Sequence, residues 1–460
     1  MHMQAVILAA GKGTRMKSEK PKVLHELCGK SMLSYVIDNV RQAKVEEIAV
    51  IVGYKADEVK ASLVGDVCAF VQHEQLGTGH AVMQAASFID DNAYVVVLCG
   101  DAPLVNARVI EEIFECAYAG KKDAVVLSTI LDNPYGYGRI IRDENGRIKK
   151  IVEQKDADSA QQAVKEINSG VYCFLGSALK KALKGLTPEN AAKEYYLTDS
   201  IEQLLAGGYD VDVLIEQDSD IIKAVNDKKQ LAQLEKMMRQ MINSKWLAQG
   251  VTMIDPENTY ISYDAVVAPD VLLYPNVVIE GRSIIKKGTV ITTSSMIRNS
   301  VIGEHCTINS SVITDSVVGN HAKIGPFAHL RPKSILGEHV KIGNFVEVKA
   351  STMGDNSKSS HLTYIGDAKV GENVNLGCGV VFVNYDGKAK NLTVVEDDCF
   401  VGCNVNLIAP VTVKKGAYIA AGSTITEDVD EYSLAIARSR QTNKENWVLR
   451  PSETSEGDKR

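Results

Sequence analysis

No apolar run in this chain approaches the ~18 residues that a membrane-spanning helix needs. Its start leads directly into a strand-like stretch, residues 3–10, so no secretory leader is expected. Charge of one sign is not in excess. The formal net charge is -7 with 24% charged residues, and the basic surplus of a nucleic-acid binder is missing. Nine cysteines are scattered, odd in number and without a Cys-x-x-Cys pair. That argues against a disulfide framework or a zinc site and for reduced thiols in a cytoplasm.

What remains is a 460-residue chain with room for two or three cores, and its two halves follow different rules. Up to about residue 225, short β-rich runs (4–10, 47–52, 67–71, 94–99, 123–130, 211–215) alternate with helical patterns near 31–43, 78–88 and 106–119. The alternation predicts βαβ units, hence a mostly parallel sheet covered on both faces, with ligands beyond the carboxyl ends of its strands. Residues 228–248 carry Leu231, Leu234, Met237, Met238 and Met241 among charges, which predicts one connecting helix whose methionines pack rather than bind a cofactor.

The second half counts in sixes. From Val266 the series runs Leu272, Val278, Ile284, Val290, Met296, Ile302, Ile308. With 45% apolar residues, eight consecutive hits in one phase arise by chance roughly twice in a thousand. The count slips and resumes at Val312, Val318 and Ile324, continuing to Val348, then returns at Val370 and again at Val401. A period of six predicts a parallel β-helix in which each repeat sends one apolar side chain to the axis and three repeats close a coil. Glycine after many of these residues suits turns with positive φ or close backbone approach. Residues 349–364 and 383–400 break the count and are polar, as expected of loops that carry chemistry.

Four segments of the first half point to phosphate. In "LAAGKGTRM", Gly11 and Gly13 let backbone N–H groups approach an anion while Lys12 and Arg15 add charge. The spacing fits neither the dinucleotide fingerprint nor the P-loop. Lys22 follows a proline, "QLGTGHA" is a second small-residue turn preceded by Gln72, and "VVVLCGDAPL" ends a buried strand with Asp101. Asp101 suits a Mg²⁺ ligand, although alone it reads equally well as the cap of the helix that follows.

In this order the segments resemble the sugar-1-phosphate nucleotidyltransferases. Together with the hexapeptide half they resemble the bifunctional bacterial UDP-N-acetylglucosamine pyrophosphorylase and glucosamine-1-phosphate N-acetyltransferase family, over nearly the whole chain. The resemblance implies an α/β protein: a Rossmann-like uridylyltransferase domain (1–227), a linker helix (228–248), a left-handed β-helix acetyltransferase domain (249–449) and a disordered tail (450–460). It implies UTP and acetyl-CoA as co-substrates, Mg²⁺, a cytoplasmic homotrimer with the acetyl-CoA site between subunits, and a product destined for cell-wall precursors. By matching segment, Leu8, Ala9, Ala10, Gly11, Gln72, Gly77 and Thr78 become uracil and ribose contacts. Arg15 and Lys22 become phosphate stabilisers, Asp101 and Asn226 the Mg²⁺ pair, and Gly138, Glu153 and Asn168 the N-acetylglucosamine contacts.

The same resemblance makes His361, in "HLTYIGD", the base that deprotonates the amine, a role that suits a side chain titrating near neutrality. Arg331, Lys349, Tyr364, Asn375 and Lys390 would hold the sugar phosphate, with Glu347 and Asn384 orienting the amine or the imidazole. Asn384, Tyr385, Ala421 and Arg438 would meet coenzyme A. The resemblance also places Cys378 and Cys403, where the family has small Ala and Ser, beside the pantetheine arm of acetyl-CoA, and their offset from Leu376 and Val401 predicts thiols facing outward. Two other readings stay open on the residues alone: a nucleotidyltransferase whose solenoid only oligomerises or regulates, and a non-catalytic regulatory subunit.

Overall fold

Alternation organises the first half. In the strand β1 (Met3–Ala9), Ala5, Ile7 and Ala9 enter one buried cluster and Val6 the other, so the apolar run serves both faces of one sheet. The computed structural model describes residues 1–449, and the tail expected at 450–460 lies outside them. The sheet comprises β1, β2 (Glu47–Val52), β3 (Cys68–Val71), β4 (Tyr94–Cys99), β5 (Ala124–Ile130), β6 (Arg139–Arg142), β7 (Ile148–Val152), β8 (Glu166–Leu175) and β9 (Val211–Glu216). Its order is β9-β5-β8-β4-β1-β2-β3, with β6 joining β8 and β7. All pairings along that path are parallel except those of β8, which runs against β4 and β5.

The sequence pattern locates six of these strands and misses β6, β7 and β8. The polar "NSG" inside β8 hides it, and there the register shifts between Asn168 and Tyr172. The helix expected at 78–88 is shorter, Thr78–Met83. The Gln84 side chain takes the His80 carbonyl, and the following amides close tighter turns, Gln84 to Ala81 and Ala85 to Val82. The helix Lys228–Ala248 spans the stretch read as a connection. It buries Leu234, Met238, Ile242 and Trp246, one residue in four, whereas Met241 is exposed and is not part of that packing stripe. The chain divides into two compact units, Met1–Ile242 and Asn243–Arg460, within this helix.

The second unit is a parallel β-helix. Three sheets of short strands, 11, 10 and 9 strands long, pair each strand with the one three further along the chain, except at the final pair of the longest sheet, so three strands make a coil. The period of six is correct, and so is its phase at Ile302, Ile308 and from Val318 onward, but from Val266 to Met296 and at Val312 the count is one residue early. Val266, Ile284 and Val312 are exposed, while Val267, Leu273, Ile279, Ile285, Ile291, Ile297 and Ile313 point to the axis. Both members of doublets such as Val266-Val267 are apolar, so composition cannot choose the inward one. From Val318 to Val348 the counted residues are the buried ones.

Glycine takes a positive-φ turn at Gly325, φ +98, as expected, but it is not the usual corner residue. Most corners hold non-glycine residues with positive φ, including His305, His321, Phe327, His339 and Asn356. Hydrogen bonds to the neighbouring coil offset that strain, as from the His305 amide to the Lys287 carbonyl at 2.9 Å. Gly303 instead serves close approach: a Cβ there would stand 2.6 Å from the Gly319 carbonyl carbon.

Candidate functional site

Beyond the carboxyl ends of β1 and β4, four side chains from distant segments meet. Lys22 opens a short helix, Lys22–Leu24, after Pro21. Gly13 has φ +62, and a Cβ on it would come within 2.7 Å of the Lys22 Cβ, so this glycine lets lysine lie against the loop. Lys22 Nζ donates to Asp101 Oδ2 and lies 3.5 Å from Asn226 Oδ1. Arg15 Nη2 donates to the same Asn226 oxygen at 2.9 Å. The Val225 amide bonds the Asp101 carbonyl at 3.0 Å, which brings the segment carrying Asn226 to the end of β4. Asp101 caps no helix: Asn106 caps Ala107–Ala119 by accepting from the Val109 amide.

The expected sugar contacts also converge. The Asn168 amide donates to the Gly138 carbonyl at 2.9 Å, and a Cβ on Gly138 would stand 3.4 Å from Glu153 Oε1. Asn168 Nδ2 donates to the Tyr172 hydroxyl at 2.6 Å. Burial pushes the Glu153 carboxyl up, against a lowering hydrogen bond from Thr198. Glu153 borders a cavity of about 640 Å³ shared with Asp156, Asn190, Tyr196 and Asp199. Asp199 is pushed up to about 6, first by burial and then by Glu202 and Asp156.

A carboxyl raised in the folded state is protonated more readily there than in the unfolded chain. Its ionisation therefore costs stability as pH rises from about 3.8 through about 6. Asp199→Asn should accordingly stabilise the fold at neutral pH, by no more than about 1 kcal/mol after solvent screening. The gain should vanish as pH falls below about 4. Thermal melts at the two pH values check this, and an equal gain at both contradicts it.

Of the residues expected at the nucleobase, Gln72 is buried just past β3, and its Nε2 donates to the Gly77 carbonyl at 3.1 Å. Thr78 Oγ1 accepts from the Leu197 amide at 3.0 Å. Leu8, Ala9, Ala10 and Gly11 lie at the carboxyl end of β1 and just past it.

In the solenoid, register assembles a second group. His361 stands beside Asn344 on the neighbouring coil, and the pairings Ser359–Leu376, Leu376–Val401 and Val401–Ile419 continue the same column through Cys378 and Cys403 to Ala421. Cys403 is exposed and Cys378 half-buried, as their offset predicts. Arg438 lies by the far end of the column, its Cδ 3.6 Å from a Cβ built on Gly422.

On the adjoining sheet, Glu347 pairs in register with Tyr364. Arg331 Nη1 donates to Glu347 Oε1 at 2.7 Å. Lys349 Nζ donates to both Asp367 oxygens, at 2.9 and 3.1 Å, and Asn384 Nδ2 donates to Asp367 at 2.6 Å and to the Tyr364 hydroxyl at 3.3 Å. Lys390, close to Lys349 and repelled by its charge, is held below the ordinary lysine value. Two adjoining amines of this kind suit a phosphate dianion.

The partner of the imidazole is Asn344, whose Oδ1 lies 2.7 Å from His361 Nδ1. Asn375 stands in register with Lys358, on the sheet that carries His361 rather than the one that carries Lys349. Tyr385 lies on the projecting loop, its hydroxyl bonded to the Gly387 carbonyl. Sequence reasoning also missed Asp367, though it ends the quoted "HLTYIGD".

An amide oxygen only accepts, so Asn344 fixes the proton on Nδ1 and leaves Nε2 as the free base. Asn344→Ala should lower kcat for acetyl transfer roughly tenfold with little change in KM for the sugar phosphate. An unchanged kcat contradicts this role.

The geometry can be set beside known proteins. Residues 5–193 match the MobA-like NTP transferase domain, 256–352 the GMPPB C-terminal domain, and 392–427 the bacterial transferase hexapeptide model of six repeats. The chain is similar to a Bifunctional protein GlmU of Geobacillus sp. (strain WCH70), 51% identical over 97% of this chain and 98% of that one. It is 48% identical to that of Clostridioides difficile (strain 630) over the full length of both. For Alkaliphilus oremlandii (strain OhILAs) the figure is 52%, over 98% of this chain and 99% of the relative.

Proposed function

The chain belongs to the Bifunctional protein GlmU family, and from that premise we propose that it makes UDP-N-acetylglucosamine at two separate sites. Acetyl-CoA acetylates glucosamine-1-phosphate in the solenoid. UMP then passes from UTP to N-acetylglucosamine-1-phosphate in the first unit, with release of pyrophosphate. The observation that carries this reading is a pair of polar clusters, one in each unit, each holding the groups its reaction needs.

In the first unit the sugar phosphate oxygen attacks the α-phosphorus of UTP, and no covalent nucleophile is required. Arg15 and Lys22 offer cations to the phosphates, and Gly138, Glu153 and Asn168 hold the sugar. One carboxylate oxygen of Asp101 and the carboxamide oxygen of Asn226 converge on a single cationic group, Lys22. That donor set fits Mg²⁺, which takes one or two protein oxygens beside substrate phosphates. Bound there, Mg²⁺ would neutralise phosphate charge. Among the described residues no cluster of three or more His, Cys, Asp or Glu offers an all-protein metal cage.

In the solenoid, His361 Nε2 takes the amine proton, the amine attacks the thioester carbonyl carbon, and the coenzyme A thiolate leaves. Arg331, Lys349 and Lys390 hold the phosphate. The column from His361 to Ala421 rises three coils, roughly 14 Å at the strand spacing of a sheet, which gives the pantetheine arm a straight track past Cys378 and Cys403. The exposed aliphatic residues Val266, Ile284, Val317 and Ile335 support a homotrimer packed through the solenoid. The free thiols support a cytoplasmic setting, and no helix among the described residues is long and apolar enough to cross a membrane.

One purified sample should release thiol from acetyl-CoA with glucosamine-1-phosphate, and pyrophosphate from UTP with N-acetylglucosamine-1-phosphate. Pyrophosphate without thiol would leave a nucleotidyltransferase with a merely structural solenoid.

A further inference from the structure

The base-side end of the first site contains a hydrogen-bond network that the assignments above leave unused. Gln72 Nε2 lies 3.1 Å from the Gly77 carbonyl oxygen and 3.1 Å from His80 Nδ1. A carbonyl only accepts, so the carboxamide atom facing it is the NH₂. With both hydrogens of that group committed, His80 Nδ1 must be an acceptor, which puts the imidazole proton on Nε2. Gln84 does not force the opposite tautomer: its amide is 3.3 Å from Nε2 but donates to the His80 carbonyl at 2.9 Å. The carboxamide is therefore pinned on its nitrogen side. Among the described residues nothing donates to its other end, Oε1, although the side chain as a whole is 3% exposed.

We propose that His80, together with the Gly77 carbonyl, contributes to the base specificity of this site by holding Gln72 so that Oε1 can only accept a hydrogen bond. Such an acceptor pairs with the N3–H of uracil and opposes the N3 lone pair of cytosine. Thymine shares the N3–H, so the network does not distinguish it. His80 is a positioning residue acting through Gln72. The inference rests on the reading of the first unit as a uridylyltransferase with Gln72 at the base.

The test is the ratio of kcat/KM for UTP to that for CTP on the full chain. His80→Ala should lower that ratio roughly tenfold, carried by KM, because the carboxamide is then held by the Gly77 carbonyl alone. An H80A enzyme with the wild-type ratio overturns the proposal. Should that variant not fold, His80→Phe, which keeps a ring beside Tyr195 but has no acceptor for the carboxamide, decides by the same ratio, and a wild-type value overturns the proposal. A wild type that releases pyrophosphate from neither nucleotide would overturn the reading of the site itself, which is a separate result.

Discussion

Asp101→Ala is expected to reduce uridylyl transfer about a thousandfold or more while leaving acetyl transfer within about twofold. Asp101 is the one carboxylate of the Arg15–Lys22–Asn226 cluster, and its Oδ2 accepts from Lys22. Removing it takes away half of the oxygen pair that fits Mg²⁺ and releases Lys22 from its position. Nothing in the solenoid depends on it. Pyrophosphate and thiol release measured on one preparation check this, and loss of both in a folded protein contradicts it.

His361→Ala should do the reverse. Acetyl transfer should fall by about 10² to 10⁴, the usual contribution of a positioned general base, with uridylyl transfer unchanged. The loss should appear in kcat, because Arg331, Lys349 and Lys390 retain their partners and hold the sugar phosphate as before. A large rise in KM for glucosamine-1-phosphate with kcat preserved would make His361 a binding residue instead. Because Asn344 orients the same imidazole, combining Asn344→Ala with His361→Ala should cost little more than His361→Ala alone.

How much of this was legible in the sequence depended on whether a signal was local. The period of the solenoid is local and was read correctly. Its phase is misplaced from Val266 to Met296, because doublets such as Ile284-Ile285 offer two apolar residues and only packing shows that the second turns inward. The Lys22–Asp101–Asn226 cluster joins segments far apart in the chain, and no spacing predicts it; only resemblance brought the three together. Asn344 escaped notice because "KIGN" is an ordinary repeat, and its meaning appears only when the next coil sets His361 beside it. The strand β8 escaped for a related reason: the polar residues that break its pattern include Asn168, which bends there toward Gly138.

The central claim is that two independent sites on one chain act in sequence. Mixing equal amounts of Asp101→Ala and His361→Ala enzymes with glucosamine-1-phosphate, acetyl-CoA and UTP tests it, with phosphorus NMR following the products. Alone, Asp101→Ala should stop at N-acetylglucosamine-1-phosphate, and His361→Ala should form no N-acetylated product. The mixture should accumulate UDP-N-acetylglucosamine at a rate comparable to wild type. A mixture that forms none, though each variant retains its own half-reaction, would contradict the account.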